Sequence, residues 1–432
     1  MLYYSTKHQS PKVSLKEAIS HSEAPDGGLY MPERIPLLPK AFFKNFSEMT
    51  LGEISYVVAN TFFGEDVSSA ELKRIVDETS NFPMPLVEIE PGIHALELFH
   101  GPTMTIKDIG ARFLARVTRH LRMHETEPLN VLVATTGHTG SAVANGICGV
   151  EGINIYVLYP RSVTRAQVAH FTSLESNVHA IKVDGTIDDC RRILASAMAD
   201  TEMNEKLMLT TATSLNIGRL LPKVSVFFYG YARMLAQKEN VGDVWVSVPS
   251  GNLGNLLAGY IAMQMGLPLK KLIAACNANE AFHRYLSDGI LPAGHKTIAT
   301  CAYAMDTSSP ANIDRIMDLC RGSLTTLRQS VTSGAVTDDE IRHTINDVYA
   351  RTGYMLDPHS AVGYRCLREK LPQGASGIVL ATAHPAKSID IMTDITGRAV
   401  ELPLPLTRFM NDRHREVIIP PTYPAFKKIL KR

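Results

Sequence analysis

The stretch Ala95-Leu-Glu-Leu-Phe-His-Gly-Pro-Thr-Met-Thr-Ile-Lys107-Asp-Ile-Gly-Ala-Arg112 carries the reading of this chain. A short apolar run ends at His100-Gly-Pro-Thr103, a turn sequence that neither a helix nor a strand uses in its interior. Lys107 then stands between Ile106 and Ile109, at the mouth of a helix signal running through Phe113 and Leu114. A lysine in apolar surroundings has a depressed pKa, and its neutral amine condenses with aldehydes to a Schiff base. Taken alone, such a lysine is more often a surface residue whose stem covers apolar neighbours. Other segments decide between the two.

Downstream, strand and helix signals alternate. Val131-Leu-Val-Ala134 passes through a glycine-rich turn into Ser141-Ala-Val-Ala-Asn-Gly-Ile-Cys148, which reads as a helix. Further strands are predicted at Asn154-Ile-Tyr-Val-Leu-Tyr159, His179-Ala-Ile-Lys-Val183, Asp243-Val-Trp-Val-Ser-Val248, Leu272-Ile-Ala-Ala275 and Gly377-Ile-Val-Leu-Ala381. Helices fall between them, at about 188–200, 218–236, 254–265 and 338–351. This rhythm predicts an α/β fold with parallel sheets covered by helices. Residues 1–90 differ, with loop signals such as Ala24-Pro-Asp-Gly-Gly28 and two acidic helical stretches.

Composition narrows the function. A chain of 432 residues holds two or more domains. Lysine plus arginine number 44 against 43 acidic residues, so no net charge recruits nucleic acid or an anionic membrane. Cys148, Cys190, Cys276, Cys301, Cys320 and Cys366 lack Cys-x-x-Cys spacing, which argues against a disulfide framework and against a metal site. With no apolar leader and no run of membrane-spanning length, the expected location is the cytoplasm.

Two turns fit the places where parallel sheets bind ligands. Thr135-Thr-Gly-His-Thr-Gly140 follows one strand, and Pro249-Ser-Gly-Asn-Leu-Gly-Asn255 follows another. Glycines let the backbone approach an anion, and a helix N-terminus favours a phosphate there. Each turn alone reads equally well as a plain strand-to-helix connection, and neither has the Walker or G-x-G-x-x-G pattern. A lysine followed by two such turns suits a phosphorylated aldehyde cofactor.

The chain resembles the threonine synthases of the longer bacterial and fungal type, a fold-type-II pyridoxal-phosphate family. The resemblance runs nearly end to end, through Tyr3-Tyr-Ser-Thr6, Asp26-Gly-Gly-Leu-Tyr30, Leu96 to Thr103 with Lys107-Asp108, Pro249 to Asn255, Ala304-Met-Asp306, Asp357-Pro-His359 and Thr382-Ala-His-Pro-Ala-Lys387. It implies that Lys107 carries pyridoxal 5'-phosphate as an imine. It further implies that Gly251, Asn252, Leu253, Gly254 and Asn255 cradle the phosphate, a Cβ at Gly251 or Gly254 obstructing the approach or straining a positive φ. The Thr382 hydroxyl is implied at the pyridine nitrogen, where a neutral partner suits elimination and replacement chemistry. The implied architecture is an N-terminal helical extension over 1–90, a smaller domain over 91–205 with the 136–140 turn, and a larger domain over 206–432. The cofactor is expected in the cleft between the two domains, in a monomer or homodimer.

The departures cluster on the substrate side. The family's Ser-Gly-Asp/Asn-Thr-Gly, whose acid or amide touches the cofactor's 3-hydroxyl, is here Thr136-Gly-His138-Thr139-Gly. The Arg/Lys-Gly-Lys after Tyr159-Pro160 is replaced by Arg161-Ser-Val-Thr-Arg165, which makes Arg161 or Arg165 a candidate phosphate clamp or, equally, a solvated charge. Ser-Ala-Asn-Ser-Ile-Asn becomes Thr211-Ala-Thr213-Ser214-Leu-Asn216, and Tyr303 replaces an asparagine. Thr136, Thr139, Arg161, Arg165, Thr213 and Ser214 are therefore the expected substrate contacts. The resemblance implies conversion of O-phospho-L-homoserine and water to L-threonine and phosphate. A lyase giving a 2-oxo acid and ammonia from a related phosphorylated or hydroxylated amino acid is the alternative, and a non-catalytic cofactor-binding protein a third reading.

Overall fold

A computed structural model describes residues 1–237, 241–291 and 296–431. Its strands are β1 (Tyr3–Ser5), β2 (Tyr30–Pro32), β3 (Leu86–Glu90), β4 (Ile93–Glu97), β5 (Leu129–Ala134), β6 (Ile153–Pro160), β7 (Val178–Val183), β8 (Leu209–Thr211), β9 (Val244–Pro249), β10 (Lys271–Cys276), β11 (Val331–Ala335), β12 (Ser376–Ala381) and β13 (Val417–Ile419). They form a two-stranded pair β1-β2, a six-stranded sheet ordered β11-β10-β9-β12-β4-β3 and a five-stranded sheet ordered β13-β7-β6-β5-β8. The five-stranded sheet is parallel throughout, and the six-stranded one is parallel except for β3, which runs antiparallel to β4 at its edge.

Strands covered by helices on both faces carry apolar residues at successive positions, and β12 is buried along its whole length. On one face of the six-stranded sheet, Ile273, Ala275 and Val379 belong to one core cluster with Ala361 and Val362 of the helix Pro358–Lys370 and with Ile341, Ile345 and Val348 of the helix Asp338–Thr352. That helix starts at a reciprocal capping box between Thr337 and Glu340, which satisfies two otherwise orphaned amides. In the five-stranded sheet, Leu158 and Ile181 pack with Ile193 and Ala197 of the helix Ile187–Ala199.

The expected strands at 131–134, 154–159, 179–183, 243–248, 272–275 and 377–381 all form, each within two residues of the predicted ends. The predicted helix over 218–236 is three consecutive pieces, Ile217–Leu220, Leu221–Lys223 and Val224–Gln237, because Pro222 cannot continue a regular hydrogen-bond ladder. Sheet membership cuts across linear boundaries at 90 and 205. β3, before residue 91, pairs with β4 in the six-stranded sheet, while β8 and β13, after residue 205, complete the five-stranded one. Within 1–90 lie the pair β1-β2 and the helices Leu15–Ser20, Lys40–Asn45, Leu51–Phe63 and Ser69–Thr79. Among the described residues, no helix is long and apolar enough to cross a membrane, and no group of three or more His, Cys, Asp or Glu side chains could hold a metal.

Candidate active site

Lys107 is the first residue of the helix Lys107–Leu121. The turn before it is tied by Asp108, whose carboxylate accepts from the Thr103 amide at 2.8 Å and the Thr103 hydroxyl at 2.5 Å. Two segments distant in sequence fix its position. Thr105 bridges Ala383, the Ile106 amide donates to the Thr382 carbonyl at 2.9 Å, and the His384 amide donates to the Met104 carbonyl at 3.1 Å. The loop after β12 is thereby stitched to the lysine turn. Gly110, one turn along the helix, lets it approach the Arg219 backbone: a Cβ there would lie 2.4 Å from the Arg219 carbonyl oxygen.

A cavity of about 230 Å³ opens at the carboxyl ends of strands from both sheets. Lys107 lines it with Gly251, Asn252, Leu253, Gly254 and Asn255 from the turn after β9, Thr139 and His138 from the turn after β5, and Thr382 from the end of β12. An adjoining cavity of about 160 Å³ shares Lys107, His138, Thr139 and Ala304 and adds Thr136, Arg191, Tyr303 and Asp306.

The glycine turn has the build of a phosphate cradle. The helix Gly254–Gln264 presents its N-terminal amides to the cavity. A Cβ at Gly251 would lie 2.6 Å from the Met305 carbonyl oxygen and 2.7 Å from its Cα, so only glycine fits. The positive φ expected of these glycines belongs instead to Leu253, at +59°. The Asn252 and Asn255 side chains already have partners within the protein. Asn252 donates to Ser214 Oγ at 2.8 Å and accepts from the Ala311 amide, and Asn255 Oδ1 accepts from Lys223 Nζ at 3.0 Å. What these two residues offer an anion is backbone N–H.

Lys223 and Arg219 supply charge that the sequence reading missed. Both line the cavity. Burial, Arg219, Lys107 and Arg315 bring Lys223 down to about 7, and burial brings Arg219 down to about 10. The signal was present: Arg219-Leu-Leu-Pro-Lys223 places two cations four residues apart inside an otherwise apolar run. Lys107 falls to about 8, chiefly through burial and then Arg219, with Asp357 and Asp108 pulling the other way. At pH 7 about a tenth of it is therefore already the free amine that imine chemistry needs, far more than for an ordinary lysine.

His138 is 4% exposed and lines both cavities; its Nε2 lies 2.9 Å from the Tyr303 hydroxyl, and its Nδ1 has no partner. Burial, Lys107, Lys387, His359 and His170 hold it well below the ordinary histidine range, so it is neutral. His359, also in the cavity wall, is fixed in one tautomer: Nδ1–H donates to Asp357 at 2.5 Å while Nε2 accepts from the Ala304 amide at 3.1 Å.

Of the expected substrate contacts, Thr136, Thr139 and Ser214 line the cavities. Thr213 does not, and its hydroxyl accepts from the Leu215 amide. Arg161 and Arg165 lie outside both walls. Arg161 is 74% exposed and paired with Asp184, and Arg165 is exposed and donates to the Met410 carbonyl.

The geometry fits pyridoxal phosphate: a neutralisable lysine, a cradle that a Cβ would fill, a cation beside it and an unpartnered imidazole nitrogen. Residues 80–382 match the family model of pyridoxal-phosphate dependent enzymes, and residues 2–80 match that of the threonine synthase N terminus. Threonine synthase of Serratia marcescens is 36% identical over 94% of this chain and 92% of its own, and that of Escherichia coli 33% identical over 100% and 99%. The crystal structure of threonine synthase from Escherichia coli matches with a TM-score of 0.91 at 33% identity, over 100% of this chain and 99% of that one. The structure of PLP-bound threonine synthase from Brucella melitensis matches with a TM-score of 0.95 at 30% identity, again over 100% and 99%. With relatives above 30% identity along nearly its whole length, and with a site built for their cofactor, the chain belongs to the threonine synthase family of pyridoxal-phosphate-dependent enzymes.

Proposed function

We propose that the protein converts O-phospho-L-homoserine and water to L-threonine and phosphate, a lyase acting on a phosphate. The observation that carries this reading is Lys107, preceded by the Ile106 amide bonded to the Thr382 carbonyl and standing at the junction of two cavities, one ending in the 251–255 turn and Lys223, the other polar and free of that turn. Pyridoxal phosphate, when bound, supplies an electron sink that acidifies Cα and then Cβ of an amino acid. Residues 251–255 and Lys223 hold its phosphate, Lys107 anchors its aldehyde carbon, and the Thr382 hydroxyl meets its ring nitrogen without adding charge.

The adjoining cavity receives the substrate chain. Thr136 and Thr139 offer hydroxyls to its polar groups, Ser214 adds one from the wall of the first cavity, and Arg191, on the adjoining cavity's wall, offers a guanidinium to its phosphate. Lys107, freed as an amine, takes the proton from Cα and moves protons at Cβ and Cγ, being the amine that borders both cavities. The body around the five-stranded sheet serves as the smaller domain and the body around the six-stranded sheet as the larger. We place the enzyme in the cytoplasm as a monomer or homodimer.

Amino-acid analysis tests the reading. Purified protein reconstituted with pyridoxal phosphate and given O-phosphohomoserine should release threonine and phosphate in equal amounts. Ammonia and a 2-oxo acid instead, from this substrate or from O-phosphothreonine or threonine in parallel, would overturn it in favour of the lyase.

A further inference from the structure

Two positions at which this chain departs from its family, His138 and Tyr303, are 165 residues apart in sequence and hydrogen-bonded in space. Their rings meet edge to face at 5.2 Å. We propose that Tyr303 is a positioning residue that locks His138 in its Nδ1–H form, so that the imidazole presents a fixed N–H donor to the 3-oxygen of pyridoxal phosphate. The inference rests on the cofactor reading of the cavity.

The contact distances support the lock. A phenol oxygen has one proton to give. Of the two acceptors within reach of the Tyr303 hydroxyl, His138 Nε2 lies at 2.9 Å and the Lys387 carbonyl at 3.4 Å, so the phenol's proton goes to the nearer and more basic nitrogen. Nε2 then accepts, and the single proton of the neutral ring sits on Nδ1, the nitrogen without a partner.

The surroundings keep both groups in these forms. The groups that act on His138 are Lys107, Lys387, His359 and His170, all disfavouring a second proton on the ring. Burial likewise keeps Tyr303 as the phenol. His359 uses both its nitrogens on Asp357 and Ala304, so it cannot compete for His138 although their rings lie 5.8 Å apart. The cofactor's own chemistry names the acceptor. Its 3-oxygen is ortho to the aldehyde carbon that Lys107 anchors, and its phosphate arm lies on the other side of that carbon. With the arm in the 251–255 turn, the wall carrying His138 faces the 3-oxygen.

The test reads the proton directly. Protein labelled with [¹⁵N]histidine and free of cofactor should show a protonated-type shift at His138 Nδ1 and an acceptor-type shift at Nε2, assigned by their loss in His138→Asn. In Tyr303→Phe the ring should redistribute between tautomers, and affinity for pyridoxine 5'-phosphate should fall about fivefold, the effect of one neutral hydrogen bond. In a His138→Asn background, where an amide needs no tautomer, Tyr303→Phe should have no effect on affinity. A protonated Nε2 in the wild type overturns the proposal, as does an unchanged tautomer in Tyr303→Phe. So does an equal affinity loss in both backgrounds, which would make Tyr303 a packing residue. A locked Nδ1–H ring in a protein that does not bind pyridoxine 5'-phosphate overturns the cofactor reading, and with it the named acceptor.

Discussion

Replacing Lys223 by methionine asks whether the cavity reads its cofactor's phosphate through charge as well as through backbone amides. In the free protein, burial, Arg219, Lys107 and Arg315 hold this amine at about 7, so at pH 7 roughly half the molecules carry the charge. A phosphate dianion beside it favours the ammonium and raises the pKa in the complex. The sign follows from linkage. Binding is tightest below pH 7, where Lys223 is already charged, and weakens as pH rises, because a proton must be taken up with the ligand. Between pH 7 and 8 the loss is about fivefold. The phosphate's second ionisation lies near pH 6, below this window, while Lys107 at about 8 and Lys387 at about 7 also lose protons within it, so the difference between wild type and Lys223→Met isolates the Lys223 share.

Pyridoxine 5'-phosphate is the suitable probe, because its alcohol cannot condense with Lys107 and only the non-covalent contacts are measured. Lys223→Met removes a charge-assisted hydrogen bond of about 1.5–3 kcal/mol, which weakens binding by about 10- to 150-fold near pH 7. It should also flatten the pH dependence. Calorimetric titration in two buffers of different ionisation enthalpy reads both quantities, affinity and proton uptake. Wild-type affinity in the variant, or an unchanged proton count, would refute the reasoning and leave the phosphate to the backbone of residues 251–255 alone.

Four further outcomes are expected. Borohydride reduction should fix pyridoxal phosphate to the peptide containing Lys107, and Lys107→Ala should abolish turnover; label on another lysine contradicts this. Gly251→Ala, whose Cβ meets the Met305 backbone at 2.6 Å, should weaken cofactor binding through an overpacking cost of about 1–3 kcal/mol, whereas Gly52→Ala, with nothing nearer than 3.7 Å, should not. Arg161→Ala and Arg165→Ala should change KM for the phosphorylated substrate by no more than about twofold, since exposed pairs contribute little; a tenfold rise in steady-state assays would bring them back to the site. Cofactor-free protein should gain stability from pH 7 to 8.5 in urea titrations. Lys223 and Lys387 at about 7 and Lys107 at about 8 lose protons there in the folded state, while the unfolded chain keeps them up to its ordinary lysine range; a falling profile refutes that sign.

The fold was legible where one periodicity dominates. Strands such as β6 and β12, buried on both faces, announce themselves as continuous apolar runs, and the helices between them follow from composition and length. The short strands β8 and β13, of three residues each, carry no such signal, since their pairing with β5 and β7 depends on a sheet edge assembled by other segments. For the same reason linear boundaries at 90 and 205 miss the edge strands that return to each sheet. A strand's address is set by its partner, and a single sequence does not display partners.

The same distinction runs through the site. Lys107 and the 251–255 turn stand out in the sequence because their chemistry is local, an amine in apolar context and glycines where a backbone must come close, and both line one cavity. Lys223 was visible only as a cation in an apolar run: what the sequence does not display is its position, at the mouth of a turn about 30 residues away, and its surroundings read as core. Arg161 and Arg165 illustrate the converse. Charge type made them candidates, but the loop that carries them turns towards Asp184 and the Met410 carbonyl, outside both cavities. His138 and Tyr303 lie between these cases. Each was visible as an odd residue, yet neither position alone shows that one departure answers the other. A phenol that donates to an imidazole does what a side-chain amide does without help, namely settle which face of a hydrogen-bonding group meets the ligand. Two substitutions that look independent along the chain are, in the cleft, halves of one arrangement.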